Sequence, residues 1–117
     1  MDGRHIKAFG QGSPASLTTV KTVEKFLIDL VNILGMRTLG PAHVYKEEHG
    51  GVSGIVVLST SHVAIHTWLK KVNDNEYAFF SLDVFSCRTF TTEPVQEALK
   101  ERFSVPKISI QEIALDD

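Results

Sequence analysis

The chain has 117 residues, of which 43% are hydrophobic and 22% are charged, and its formal net charge is −2. This length fits a single domain, and so balanced a charge provides no concentrated basic surface for nucleic acid or an anionic membrane. We therefore expect one domain over residues 1–117, with neither nucleic acid nor a membrane as a partner.

The cysteine content and the apolar segments narrow the class further. Cys87 is the only cysteine, so the chain can form neither an internal disulfide nor a zinc site of four cysteines. No apolar run approaches the ~20 residues of a membrane-spanning helix. The start of the chain lacks the apolar core of a signal peptide, so the cytoplasm is the expected compartment.

The first part of the chain shows strand and helix patterns in turn. Residues 4–9 predict a short strand, which the Gly/Ser/Pro cluster at 10–14 ends. From residue 16 to about 34, apolar residues at spacings of three and four predict an amphipathic helix that a glycine stops. Residues 38–48 are a weaker strand candidate because Pro41 interrupts them.

The remainder predicts strands before and after a second helix. Alternating or β-branched apolar residues indicate three strands, at 52–58, 62–69 and 76–87. A turn at 73–75 separates the last two of these. A helix from about 93 to 103, with Thr92 as its N-cap, leads to a last strand at about 105–114.

This order, β-α-β-β-β-β-α-β with tight connections in the middle, predicts an α+β fold. We expect a two-layer sandwich, in which an antiparallel sheet has two helices on one face. Alternation places a polar and aromatic group on the other face: His62, His66, Trp68, Asp83 and Cys87. The group is either a functional cluster, an interface or ordinary surface. On a strand, His62 and His66 lie about 13 Å apart, so we expect no shared metal ion.

Two motifs give the chain a resemblance to a known family. Residues 51–68 read Gly-Val-Ser-Gly-Ile-Val-Val-Leu-Ser-Thr-Ser-His-Val-Ala-Ile-His-Thr-Trp, and residues 82–87 read Leu-Asp-Val-Phe-Ser-Cys. With Gly3-Arg4-His5 at the start, they resemble the signatures of the prokaryotic S-adenosylmethionine decarboxylases, in the same order. The resemblance implies a self-cleaving, pyruvoyl-dependent homodimer of polyamine (spermidine) synthesis, with active sites near the subunit interface.

The resemblance also implies roles for single residues. Ser61 matches the serine that attacks the Thr60 carbonyl, so that the cut between Thr60 and Ser61 leaves a pyruvoyl group as cofactor. Ser53 and His66 match residues that assist this processing, His66 by moving a proton. The pyruvoyl ketone forms a Schiff base with the substrate and withdraws electrons as CO2 leaves. Cys87 matches the acid that then protonates the carbanion.

The chain departs from the family signature where the substrate is expected. Thr60 replaces a glutamate that, in the family, hydrogen-bonds the ribose hydroxyls of S-adenosylmethionine, and Lys70 replaces a second glutamate. We expect Thr60 and Trp68 to bind substrate, and the two replacements to weaken binding of a cationic sulfonium nucleoside. The hairpin between Trp68 and Cys87 is also longer than is usual in the family.

These departures leave three functions open. The first is decarboxylation of S-adenosylmethionine. The second is the same chemistry on a basic amino acid such as arginine or ornithine, which needs no ribose contact. The third is a homologue that does not process itself and serves as a binding or regulatory protein. Only a processing chain would yield the two segments 1–60 and 61–117.

Overall fold

The computed structural model describes residues 3–115, which form one six-stranded sheet and three helices. The strands are β1 (Gly3–Gly12), β2 (His43–Lys46), β3 (Val52–Leu58), β4 (Ser61–Val72), β5 (Asn75–Ser86) and β6 (Ile108–Leu115). The helices are α1 (Pro14–Leu17), α2 (Val20–Ile33) and α3 (Thr92–Phe103). The strand order is β2-β3-β4-β5-β1-β6, and every neighbouring pair is antiparallel. The predicted α+β class is confirmed.

The single helix predicted over residues 16–34 is wrong in one respect, because the chain forms two helices there. Ser13 caps α1, and Pro14 occupies its first turn. The hydroxyls of Thr18 and Thr19 then donate to the carbonyls of Pro14 and Ala15, each at 2.6 Å. Such side-chain bonds compete with helical ones, and the backbone of Thr19 is extended. The predicted count of two helices therefore becomes three.

Two other predicted boundaries shift for identifiable reasons. The strand predicted to end before Gly10 continues to Gly12, because glycine at position 10 lets β1 pass close to the ring of Phe80: a Cβ there would lie 2.8 Å from that ring. Thr92, predicted as the N-cap of the second helix, is its first helical residue. Thr91 takes the cap position, and the Thr92 hydroxyl donates to Glu112 at 2.8 Å.

The core lies between the helices and one face of the sheet. Phe26 of α2 and Phe103 of α3 meet there, with ring centroids 4.8 Å apart. The strand residues predicted to share the inner face are buried, as expected: Val63, Ile65, Thr67, Phe80, Leu82 and Val84. Thr67 is the polar member, and its hydroxyl donates to the Leu17 carbonyl and accepts from the Val52 N–H. The two-layer arrangement is confirmed.

The other sheet face, here called the open face, has no helix against it. Large apolar side chains on it are 39% to 64% exposed: Phe9, Tyr45, Ile55, Val57, Trp68, Val72 and Ile113. His62, His66 and Asp83 lie on the same face, as the alternation predicts, whereas Cys87 directly follows the end of β5 and is not part of the strand. None of the helices between residues 3 and 115 is long and apolar enough to cross a membrane.

Candidate active site

The bond predicted to be cut lies at a tight turn between β3 and β4. Leu58 pairs with Ser61, which leaves Ser59 and Thr60 as a two-residue turn. Thr60 has a φ of 58°, in the left-handed region. A β-branched residue is strained in that region, at a cost of about 1–3 kcal/mol. The backbone strain therefore lies directly before Ser61.

The Thr60 side chain connects this turn to the end of β5. Its hydroxyl oxygen lies 2.6 Å from the Ser59 carbonyl oxygen and 2.6 Å from the Cys87 sulfur. The hydroxyl donates to the carbonyl, and in the second contact either the hydroxyl or the thiol can be the donor. The Cys87 thiol therefore lies against the residue that precedes Ser61.

Ser61 has a hydroxyl partner that the sequence analysis did not assign. Its Oγ donates to the Oγ of the buried Ser86 at 3.1 Å, and Ser86 also accepts from the Arg88 N–H at 3.0 Å. The two serines pair across β4 and β5 and border a cavity of about 180 Å³ together with Arg37 and Arg88. The one signal for Ser86 in the sequence is a hydroxyl residue directly before Cys87.

Ser53 and His66 form a second pair, away from the turn. Ser53 Oγ lies 2.8 Å from His66 Nδ1, and the two residues are partners across β3 and β4 on the open face. His66 follows Ser61 by five positions on β4, which corresponds to about 17 Å along a strand. Within one chain, the predicted processing pair is brought together but does not reach the Thr60–Ser61 bond.

Trp68 and Lys70 lie still farther along β4. The Trp68 ring stacks on Phe79 with centroids 6.1 Å apart, and with Phe9 it borders a cavity of about 650 Å³ at the opposite end of the sheet. Seven positions separate Trp68 from Ser61, or about 23 Å along a strand. Both side chains therefore lie far along the strand from Ser61 of their own chain.

A third cluster on the open face joins two histidines to one carboxylate. His5 Nε2 lies 2.7 Å from Asp83 Oδ1, and His62 Nε2 lies 2.7 Å from Asp83 Oδ2. Partial burial acts to raise the pKa of Asp83, but the hydrogen bonds and charges of His62 and His5 outweigh it and hold this pKa below its usual value. In the part of the chain that the structure describes, no group of three or more His, Cys, Asp or Glu could hold a metal ion.

The sequence analysis placed His62 and Asp83 on the open face but gave neither of them a role. It named His5 only as part of the initial Gly-Arg-His motif. The signal that joins them is the pairing of β1 with β5, which puts His5 opposite Phe85 while His62 pairs with Phe85 from β4. That pairing connects residues nearly eighty positions apart, so no local pattern shows it.

Comparison with known proteins shows the family of the chain. A family model described as S-adenosylmethionine decarboxylase matches residues 5–114. A protein of Thermomicrobium roseum named S-adenosylmethionine decarboxylase proenzyme is 32% identical over 114 residues, which is 96% of this chain and 91% of that protein. The chain belongs to the S-adenosylmethionine decarboxylase family. Members of this family are pyruvoyl-dependent carboxy-lyases.

Two further relatives support the assignment. A proenzyme of the same name from Archaeoglobus fulgidus is 33% identical over 99 residues, covering 84% of this chain and 80% of that protein. The crystal structure of the adenosylmethionine decarboxylase from Aquifex aeolicus superposes with a TM-score of 0.74 over 96% of this chain and 88% of that one. At 20% identity, this superposition shows a shared fold.

Proposed function

We propose that this chain cuts itself between Thr60 and Ser61 and then decarboxylates S-adenosylmethionine for polyamine synthesis. The observation that supports this most is the strained Thr60 directly before Ser61, in contact with the Cys87 thiol. Membership of the family supplies the reaction class. The names of the relatives favour decarboxylation of S-adenosylmethionine over the other two functions that the sequence left open.

Self-cleavage begins with the Ser61 hydroxyl, which Ser86 holds in place. The Ser61 oxygen attacks the Thr60 carbonyl carbon, and the C–N bond breaks as an ester forms. Opening this bond releases Thr60 from its left-handed conformation, so relief of strain favours the ester over the peptide. Elimination then separates Thr60 as a carboxylate from residue 61, and hydrolysis releases ammonia. Residue 61 is thereby converted into the pyruvoyl cofactor.

The residues present fit this cofactor, because its precursor serine and the Cys87 thiol lie at the same end of the sheet. When formed, the pyruvoyl group supplies the electron sink for loss of CO2. Cys87 donates the proton that the product carbon needs. The Thr60 hydroxyl remains at the end of segment 1–60 and can hold the Cys87 thiol by the contact seen in the uncut chain.

The open face supports a homodimer. Its apolar side chains are uncovered in the single chain, and burial of such a band favours association. The Ser53–His66 pair lies too far from its own Ser61 to assist the cut, so we propose that it acts on the Ser61 of a second copy. Trp68 would reach a substrate in the same way, from the opposite chain.

A denaturing mass spectrum tests the cut. The purified protein should give two fragments that correspond to 1–60 and 61–117, the second with a pyruvoyl terminus, and Ser61→Ala should remain one species of 13.0 kDa. A wild-type protein that stays whole after prolonged incubation would contradict the proposal.

Co-expression tests the action between chains. The Ser61→Ala variant lacks the attacking hydroxyl, and the His66→Ala variant lacks the imidazole at position 66. Each variant, expressed alone, should therefore remain largely uncut. If His66 acts across the interface, a mixed dimer should restore cutting, and only of the chain that contains His66→Ala. Cutting of purified His66→Ala at the wild-type rate would show that this imidazole does not assist processing.

A further inference from the structure

Self-cleavage removes several bonds that hold residue 61 in the uncut chain. The reaction takes up one water: the Ser61 hydroxyl oxygen leaves with Thr60 as a carboxylate, and the amino nitrogen leaves as ammonia. The peptide link to Thr60, the backbone N–H of residue 61 and the hydroxyl bond to Ser86 are then all lost. The reactive carbonyl stands at a new chain terminus, and chain termini are poorly ordered unless something ties them down.

His62 directly follows the converted residue 61, and its side chain bonds to a strand that is not cut. Its Nε2 lies 2.7 Å from Asp83 Oδ2, and its ring stacks on Phe85 with centroids 5.8 Å apart. Both partners belong to β5, two residues apart, so contacts at two positions fix the imidazole. His62 can therefore retain its place after the peptide bond to Thr60 is gone.

The Asp83 carboxylate is itself held from the opposite side. Its other oxygen bonds to His5 of β1 at 2.7 Å, and the His5 ring meets Phe85 edge-on with centroids 5.7 Å apart. One carboxylate thus joins β4, β5 and β1, with the Phe85 ring between the two imidazoles. Asp83 cannot follow a displaced His62 without breaking its bond to His5.

We propose that His62 and Asp83 are positioning residues that clamp the chain end created by self-cleavage and keep the reactive carbonyl of residue 61 beside Cys87. The inference rests on the proposed function, because it needs the cut between Thr60 and Ser61. Misplacement of a reacting group by about 1 Å can reduce a rate about 100-fold. Loss of the clamp should therefore lower kcat. The cut itself should proceed, because it is made while the peptide bond to Thr60 still holds residue 61 in place.

Three substitutions separate the clamp from general packing. His62→Phe retains an aromatic ring on Phe85 but has no donor for Asp83. His62→Gln retains an N–H donor without the imidazole. His5→Phe is the matched control, because it removes the bond to the other oxygen of the same carboxylate from a strand that is not cut. Should His62→Phe fail to fold, Asp83→Asn replaces it, since the amide is isosteric and uncharged.

The fraction cut, kcat and KM for S-adenosylmethionine, and hydrogen exchange at amides 62–65 are measured for each protein. We expect all variants to be cut. His62→Phe should lose about tenfold or more in kcat, with KM changed by less than about threefold. His62→Gln should recover part of the loss, and His5→Phe should lose less than His62→Phe. Hydrogen exchange at amides 62–65 should be faster in the cut His62→Phe protein than in the cut wild type. It should not be faster in the uncut protein that carries both His62→Phe and Ser61→Ala.

Several results would overturn the clamp. One is unchanged kcat in His62→Phe, and another is an equal loss in His5→Phe, which would indicate packing alone. Faster exchange in the uncut double variant would place the effect before the cut. A wild-type protein that is never cut would overturn the proposed function together with the clamp, whereas a cut and active wild type with an unaffected His62→Phe would overturn the clamp alone.

Discussion

Strand β4 is bounded by two tight turns, and left-handed backbone occurs in both, at different side chains. Val72 pairs with Asn75 around Asn73 and Asp74, whose φ values are 49° and 65°. Asn and Asp accept the left-handed region readily, whereas threonine does not. At the other end, Thr60 is held at a φ of 58°. Backbone strain is therefore present at one turn of this strand and avoided at the other.

The two turns also differ in the side chains that they contact. The turn at Thr60 contacts the Cys87 thiol and adjoins the pair of Ser61 and Ser86. The turn at 73–74 is exposed, and the residues beside it, 70–72 and 75–76, are exposed as well. A strained bond, a nucleophile and an acid therefore coincide at one end of β4.

The largest effect is expected for the thiol that contacts the strained turn. Cys87→Ala should lower CO2 release from S-adenosylmethionine by about 10²–10⁴-fold, because general acid catalysis contributes that much. It should still be cut, since the thiol takes no part in the attack by Ser61. Asp74→Ala, at the other turn, is the control and should retain turnover. Full turnover by Cys87→Ala would mean that the thiol serves packing alone.

The next effect concerns substrate binding at the same turn. Thr60→Glu should lower KM for S-adenosylmethionine by about tenfold, because a charged hydrogen bond contributes about 1.5–3 kcal/mol. Asn73→Glu adds the same charge at the other turn and should leave KM unchanged.

CO2 release from S-adenosylmethionine, arginine, ornithine and lysine is measured side by side. The unmodified protein should act weakly on S-adenosylmethionine, with a high KM. Efficient turnover of S-adenosylmethionine would show that Thr60 is tolerated. Turnover of arginine or ornithine alone would favour the basic amino acid as substrate.

Strain itself can be measured in an uncut background. With Ser61→Ala present, Thr60→Gly should raise the free energy of unfolding by about 1 kcal/mol, because relief of strain exceeds the entropic cost of glycine. Asp74→Gly, where the native residue already accepts the conformation, should give a smaller change. With Ser61 intact, Thr60→Gly should also be cut more slowly. A lower stability of Thr60→Gly in denaturant titrations would show that Thr60 is unstrained.

The smallest effect is a pH dependence of the free energy of unfolding, which arises from Asp83 and its bond to His62. The pKa of Asp83 is below its ordinary value of 3.8 in the folded chain. The ionised carboxylate therefore stabilises the fold fully when the pH is above the ordinary pKa. This stabilisation is lost as the pH falls through the lower pKa of the folded chain. Asp83→Asn in the Ser61→Ala background should remove the part of this loss that occurs as the pH falls below 3.8. If the free energy of unfolding changes equally with pH in the proteins with and without Asp83→Asn, the lowered pKa of Asp83 is contradicted.

Local patterns predicted those parts of the fold that depend on neighbouring residues. The β-branched run gave β3 its bounds at residues 52 and 58, and alternation assigned Val63 and Ile65 to the buried face. The break at Thr18 and Thr19 was missed, because apolar spacing continues across it while hydroxyl bonds to the backbone interrupt the helix. Side-chain competition of this kind leaves no mark on hydrophobic periodicity.

The sequence by itself determined the family and the side of the sheet on which the residues of β4 and β5 lie, and it predicted the position of the cut. Motif order and the two-residue period of a strand are local properties, so they are legible without coordinates. Tertiary structure alone decided that Ser53 and His66 lie far from their own Ser61, and that His5 and His62 share Asp83. These facts depend on strand register and on the pairing of β1 with β5, which arise from packing across the whole chain.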